Sequence, residues 1–126
     1  MKLEIRNIDI PKCLNFLKEL NITGVNSINR TKITRYLNEQ LQELAENERE
    51  IRETAKNDMK KMNEWLKEYY NQTLTVEGAN FKEGLIVIKN QIEEMVAEDS
   101  EQKFSGDDAD ALAILYENLV MDKEEK

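Results

Sequence analysis

The sequence predicts a mainly α-helical domain with a small two-stranded β-sheet. Glycine and proline are rare, at 4 and 1 of 126 residues, so few positions interrupt a helix. Apolar residues make up 40% of the chain and recur every three or four positions over most of its length. Two short segments, residues 2–7 and 72–77, instead alternate between apolar and polar side chains. Together these patterns predict about four helices and one pair of strands.

The first strand and the first helix occupy the first 24 residues. Leu3 and Ile5 alternate with charged residues, which is typical of a half-buried strand. Asp9 precedes a helical pattern and Pro11 is tolerated in the first turn of a helix. The segment that ends at Gly24 is expected to terminate this helix, because asparagine and glycine accept a left-handed backbone.

A long helix over residues 28–70 is the most prominent prediction. No glycine or proline occurs between residues 25 and 77, and ten apolar residues follow the helical period: Ile33, Leu37, Leu41, Leu44, Ile51, Ala55, Met59, Met62, Leu66 and Tyr69. A continuous helix of this length would extend roughly 60 Å, which exceeds the diameter of a compact domain of this size. It must therefore project, bend or be covered by another chain. A bend is expected in the charged run 45–54 or near Asn57 and Asp58.

The second strand and two further helices complete the expected domain. Residues 72–77 are expected to pair with residues 2–7, because two isolated strands contribute little stability. A helix begins near Asn80, and another begins near Ser105, each with an acidic residue three positions later. Residues 1–121 then form one helical domain, and the charged residues 122–126 form a frayed tail.

Catalytic and cofactor chemistry is not predicted. The chain contains no histidine and one cysteine, Cys13, so neither a Cys–His nucleophile nor a zinc site built on these residues can form. The four glycines are too dispersed for a phosphate-binding loop. The acidic group Asp107, Asp108 and Asp110 does not follow the order of ligands in a calcium-binding loop. Its position at the start of a helix instead favours an interaction with the positive end of the helix dipole. We therefore predict a protein that is not an enzyme and that uses no cofactor or metal.

Neither a membrane nor a nucleic acid is a favoured partner. No apolar run approaches the ~20 residues that span a bilayer, and the first residues do not form a signal peptide. The sequence therefore predicts a cytoplasmic protein. Arg30, Lys32 and Arg35 could contact phosphate groups, but a net charge of −8 disfavours nucleic-acid binding.

The negative charge is concentrated at one end of the chain. Residues 93–126 contain 12 acidic and 3 basic side chains, whereas residues 1–92 carry a net charge of +1. The acidic end is either a solvated surface or a contact for a basic protein partner of unknown identity. The candidate partner contacts are Glu93, Glu94, Glu98, Asp99, Asp107, Asp108 and Asp110.

Aromatic and methionine residues cluster late in the long helix. Such residues are favoured both in protein cores and at interfaces, so both interpretations stay open. A homodimer is the commonest way to cover an exposed apolar stripe. The candidate oligomer contacts are Met59, Met62, Trp65, Leu66 and Tyr69.

The order of these signals resembles one protein family over most of the chain. The residues that carry the likeness are Leu14-Asn-Phe16-Leu17, Asn29-Arg30-Thr31-Lys32, the Glu-rich helix with Leu41 and Leu44, Val76-Glu77-Gly78, and Ser105-Gly106-Asp107-Asp108-Ala109. They resemble an uncharacterised family of small proteins encoded by tailed phages and prophages of Gram-positive bacteria. This resemblance implies a phage origin and the cytoplasm of a bacterial host. The family has no assigned activity, so the resemblance assigns no functional residues.

Two functions remain as hypotheses. The first is a non-catalytic, phage-encoded interaction module that binds a basic surface of a host protein through its acidic C-terminal third. The alternative is a minor structural or assembly protein of the virion that oligomerises through the long helix.

Overall fold

The computed structural model describes residues 1–97 and 103–121. These residues form five α-helices and a two-stranded sheet, which confirms the predicted fold class. In chain order the elements are β1 (Leu3–Arg6), a 3₁₀ turn (Asn7–Asp9), α1 (Ile10–Lys18), α2 (Gly24–Ala55), α3 (Met59–Tyr70), β2 (Thr73–Val76), α4 (Ala79–Met95) and α5 (Gly106–Leu119). The predicted charged tail, residues 122–126, lies outside the described residues.

The two predicted strands pair antiparallel. Leu3 lies opposite Val76 and Ile5 lies opposite Leu74. Leu3, Ile5 and Val76 are fully buried, so one face of the sheet belongs to the core. Because successive side chains of a strand point to opposite faces, the alternation in the sequence was sufficient to identify both strands.

The Asn118 side chain covers the outer edge of β1. The backbone N–H of Glu4 donates a 3.0 Å hydrogen bond to Asn118 Oδ1, and Asn118 Nδ2 donates to the carbonyl oxygens of Glu4 (3.2 Å) and Ile114 (2.8 Å). An exposed strand edge offers unpaired backbone groups to other chains, and this amide satisfies both groups of Glu4. The contact also fixes α5 to the sheet.

Helix α2 is the element against which α1, α3 and α4 pack, whereas α5 packs against α1 and α4. It contains 32 residues and is therefore about 48 Å long at 1.5 Å per residue. Its first half meets α4 around Asn29 and Ile33, and its second half meets α3 around Asn47 and Arg52. Buried residues from every helix except α3 join β1 and β2 in one core: Leu3, Ile5, Ile10, Cys13, Leu14, Phe16, Leu17, Leu20, Ile33, Leu37, Leu44, Val76, Leu85, Ile88, Ile92, Ala111, Leu115 and Leu119.

The predicted helix over 28–70 is interrupted, which corrects its bounds and raises the number of helices in the described residues from four to five. The charged run 45–54 stays helical, and the break lies at residues 56–58, near the second expected position. Lys56 has φ 56° and ψ −121°, the geometry of the first central residue of a type II′ turn. The Asp58 N–H closes this turn on the Ala55 carbonyl oxygen at 3.0 Å.

Helix α3 begins with an aspartate cap and runs back along α2. The Asp58 carboxylate accepts the Lys61 N–H at 3.0 Å and so satisfies one of the free donors of the first turn. Asn47 Nδ2 donates to the Tyr69 hydroxyl at 2.8 Å, and the Tyr70 hydroxyl donates to Glu48 at 2.9 Å. These bonds join the end of α3 to the second half of α2, so the two helices form an antiparallel hairpin.

The end of this hairpin is tied to the sheet by Asn7. Its side chain donates to the Tyr69 carbonyl oxygen at 2.9 Å, and its backbone N–H donates to the Gln72 carbonyl oxygen at 2.8 Å. Asn7 is itself buried, so its amide is satisfied by the backbone that it positions. The chain therefore enters β2 directly beside β1.

Helices α2 and α4 approach so closely at Gly84 that a larger residue does not fit. A Cβ atom on Gly84 would lie 2.5 Å from the Asn29 carbonyl oxygen and 2.8 Å from Ile33 Cδ1. The carbonyl belongs to the α2 backbone, so it cannot turn aside as a side chain could. Glycine at this position is therefore required by packing and not by an unusual backbone angle.

Replacing Gly84 by alanine is expected to lower the free energy of unfolding by about 1–3 kcal/mol, the usual cost of overpacking. Helix propensity alone predicts the opposite sign, because alanine stabilises a helix interior by about 1 kcal/mol relative to glycine. Urea denaturation followed by circular dichroism measures the difference. Asn90→Ala, on the same helix but exposed, serves as the control and should not destabilise. A stabilised Gly84→Ala variant would contradict the close approach.

Replacing Lys56 by glycine is expected to stabilise the protein by about 1 kcal/mol, because glycine adopts a positive φ without the strain that a lysine side chain carries. The control is Lys67→Gly, an exposed position inside α3, where the same replacement should destabilise by about 1 kcal/mol. Thermal unfolding of both variants measures whether each replacement stabilises or destabilises the protein. Equal destabilisation by both replacements would argue against the turn at Lys56.

Candidate functional site

The acidic residues at the end of α4 and the start of α5 are exposed. Glu93 and Glu94 lie in the last turn of α4, and Asp107 and Asp108 lie in the first turn of α5. Within the described part of the chain, none of these four carboxylates forms an ion pair. Asp107 and Asp108 also stabilise the N-terminus of α5 through its dipole, as the sequence predicted. The other candidates, Glu98 and Asp99, lie outside the described residues.

Asp110 differs from these residues because it has a basic partner within the chain. Lys12 Nζ lies 3.4 Å from Asp110 Oδ2 and 3.6 Å from Asp9 Oδ1. Desolvation lowers the pKa of Lys12, but the hydrogen bond to Asp110 and the attraction of Asp110, Asp9 and Asp107 outweigh it, so the pKa of Lys12 is raised. Part of the charge of Asp110 is therefore already balanced by α1.

The acidic residues form two groups near opposite ends of α1. Asp110 contacts Lys12 in the first turn of α1, whereas Glu94 lines a cleft with Asn21, which follows the end of that helix. Helix α1 is nine residues long, so its two ends are separated by roughly 13 Å. The structure therefore brings Asp107, Asp108 and Asp110 together and places Glu93 and Glu94 in a second group.

The candidate oligomer contacts on α3 are divided by the hairpin. Leu66 is buried, and Tyr69 packs against the core with its hydroxyl bound to Asn47. Met62 is half-buried, with its sulfur 3.8 Å from Arg52 Nη1. Only Met59 and Trp65 among the five stay exposed, at 61% and 37%. Because α3 packs back along α2, much of the apolar stripe that was predicted as an oligomer contact is covered within the same chain.

The basic group Arg30, Lys32 and Arg35 is also divided. Arg30 Nη1 donates to the carbonyl oxygens of Leu17 (2.8 Å) and Leu20 (3.1 Å). Leu17 lies in the last turn of α1 and Leu20 lies two residues beyond its end. The last carbonyls of a helix have no partner inside the helix, so Arg30 caps α1. Lys32 and Arg35 remain exposed. The structure therefore gives Arg30 a structural role that its position in a basic group did not indicate.

Cys13 is completely buried among the apolar residues of the core. Burial raises the pKa of its thiol from 9.0 to about 12. The thiolate is the reactive form of cysteine, so this side chain is protonated and unreactive near neutral pH.

A cleft of about 380 Å³ lies between α4 and the connection from α1 to α2. Sequence reasoning missed it, because its walls come from segments about 60 residues apart. Seven polar side chains line it, and none forms a side-chain hydrogen bond or ion pair with any described residue: Asn21, Thr23, Asn26, Glu83, Asn90, Gln91 and Glu94. The only sequence signal is the spacing of four of these residues, which places them on one face of α4: Glu83, Asn90, Gln91 and Glu94.

Over residues 1–97 and 103–121, no group of three or more histidine, cysteine or acidic residues is arranged to hold a metal ion. In the same part of the chain, no helix combines the length and the apolar character needed to cross a bilayer.

Comparison of the chain with protein-family models, with curated proteins and with solved structures gives no significant match. The surfaces described above are therefore the basis for a functional proposal.

Proposed function

We propose that this chain is a non-catalytic interaction module that binds a basic surface of another protein through its acidic C-terminal third. The main support is the exposure of Glu93, Glu94, Asp107 and Asp108 without an ion pair in the described residues. An origin in a phage or prophage, and a host protein as the partner in the bacterial cytoplasm, are part of this proposal and rest on the family resemblance alone.

The expected effect of these carboxylates is on the rate and selectivity of association. An exposed ion pair contributes only about 0.2–1 kcal/mol, so several pairs must act together. Charges of one sign on a surface accelerate the encounter with an oppositely charged partner and repel acidic proteins. Such steering acts over about 8 Å at physiological ionic strength, so it weakens as salt is added.

Neutralising Glu93, Asp107 and Asp108 together (E93Q, D107N and D108N) is expected to slow association with the partner by about tenfold at low salt, because electrostatic steering is lost. The partner would first be isolated by affinity capture from a bacterial lysate. Surface plasmon resonance at about 50 and 300 mM salt, a range that brackets physiological screening, then gives the association rates.

The matched control carries the same change in net charge at another surface. Glu39, Glu46 and Glu53 are exposed on α2, so E39Q, E46Q and E53Q together change the charge equally without altering the acidic third. This control should associate at nearly the rate of the unchanged protein. Equal slowing by both triple variants would exclude the acidic third as the contact.

Self-association through α3 is the second candidate function. The observation that favours it is the exposure of Met59 and Trp65 on α3, although the other predicted contacts are half-buried or buried. Tryptophan and methionine are enriched at interfaces and depleted from ordinary exposed surface. In this case the protein would act in assembly, as a minor virion component.

Trp65→Ser is expected to shift the protein to monomer if α3 is an assembly contact, because tryptophan carries much of the energy of the interfaces it joins. Sedimentation velocity over a range of concentrations measures the oligomeric state. The control is Val25→Ser, which removes an apolar side chain that is 71% exposed on α2. If the protein without any substitution stayed monomeric at the highest concentration, the assembly hypothesis would be contradicted.

A further inference from the structure

We propose that the cleft beside α4 is the docking site for an extended protein segment that carries lysine or arginine side chains. The inference depends on the proposed function for the class of partner, a protein with a basic surface, and adds the place at which a segment of that partner binds. We call this cleft the α4 cleft. It lies between α4 and the segment from Asn21 to Asn26.

The wall formed by α4 is linear. Glu83, Val87, Asn90 and Glu94 line the cleft at steps of four, three and four residues, so they share one face of the helix over three turns. Glu83 and Glu94 therefore lie at the two ends of this face, roughly 16 Å apart along the helix axis. A narrow site of this length suits a chain that runs parallel to α4. An extended chain of about five residues spans the same distance at 3.3 Å per residue.

The amide side chains of the α4 cleft suit the backbone of such a chain. Asn21, Asn26, Asn90 and Gln91 each carry one acceptor and two donors, and none of them is used by a described residue. An extended segment presents N–H and C=O groups to both sides. Amides on both walls can therefore bind its backbone without selecting a particular sequence.

The charge of the α4 cleft selects the kind of side chain. Among the described residues that line it, the two charged ones, Glu83 and Glu94, are acidic and none is basic. Cationic side chains of the segment can thus reach a carboxylate at either end. Ile86 and Val87 provide apolar contact between the two carboxylates. A volume of about 380 Å³ falls within the range of ligand-binding pockets.

A short peptide tests this assignment without knowledge of the natural partner. The probe is acetyl-Lys-Thr-Val-Thr-Lys-amide, whose two lysines lie on the same side of an extended chain, about 13 Å apart. Their flexible side chains supply the rest of the span. The matched peptide carries glutamate in place of both lysines. Titration of the ¹⁵N-labelled protein is followed by the side-chain NH₂ signals of Asn21, Asn26, Asn90 and Gln91.

We expect the lysine peptide to shift these four signals and the glutamate peptide to leave them unchanged. Glu94→Gln should weaken binding of the lysine peptide by up to about fivefold, the contribution of one exposed ion pair. Glu39→Gln is the matched control, because it makes the same change at an exposed glutamate of α2 that lies outside both the acidic third and the lining of the α4 cleft. Equal weakening by both variants, or shifts confined to other surfaces, would overturn the assignment.

The failure of this inference can be distinguished from the failure of the proposed function. If neutralising Glu93, Asp107 and Asp108 slows association with the partner but Glu83→Gln and Glu94→Gln do not weaken binding, the acidic surface acts without the α4 cleft. If the lysine peptide binds as expected but association with the partner does not respond to salt, the α4 cleft is retained and electrostatic steering is rejected. If spermidine bound more tightly than the lysine peptide, the ligand of the α4 cleft would be a small polycation and not a protein segment, which would overturn the proposal.

Discussion

The reversal of the chain at residues 56–58 is the constraint on which the rest of the structure depends. If the helix continued through these residues, Tyr70 would lie about 22 Å beyond Ala55 along one axis. The strand β2 would then begin far from β1, and the sheet could not form. Because Lys56 turns the chain, α3 returns along α2 and Asn7 binds the backbone at the end of α3. One local change of direction therefore produces the hairpin and the sheet together.

Most of the fold could be predicted from the spacing of apolar residues, but the position of this reversal could not. The turn contains no glycine or proline, and a lysine occupies its position of positive φ. The apolar spacing also continues through Met59, Met62 and Leu66 with the same period, because α3 is itself a helix that covers Met62 and Leu66 although Met59 stays exposed. Pairing of residues 2–7 with residues 72–77 is incompatible with a straight helix over 28–70. The predicted sheet thus already required the bend.

The residue types of each candidate surface could be predicted from the sequence, but which of their side chains are accessible to a partner could not. Sequence alone places acid in the last third of the chain, yet only the structure distinguishes Asp110, which is paired with Lys12, from Asp107 and Asp108. Arg30 belongs to a basic group in the sequence and caps a helix in the fold. The α4 cleft had almost no signal, because neutral amides are common on surfaces and its walls are distant in sequence. Local patterns predict elements, whereas sites depend on which elements meet.

The distance between α2 and α3 tests this account most directly. Spin labels at Arg49→Cys and Lys67→Cys, in a Cys13→Ala background, occupy exposed positions on the two arms of the hairpin. Packed helices lie about 8–10 Å apart, so strong dipolar broadening is expected in the electron paramagnetic resonance spectrum. A continuous helix would place the same backbone positions about 27 Å apart, at 1.5 Å for each of the intervening steps. A distance near 27 Å by pulsed measurement, without broadening, would contradict the hairpin.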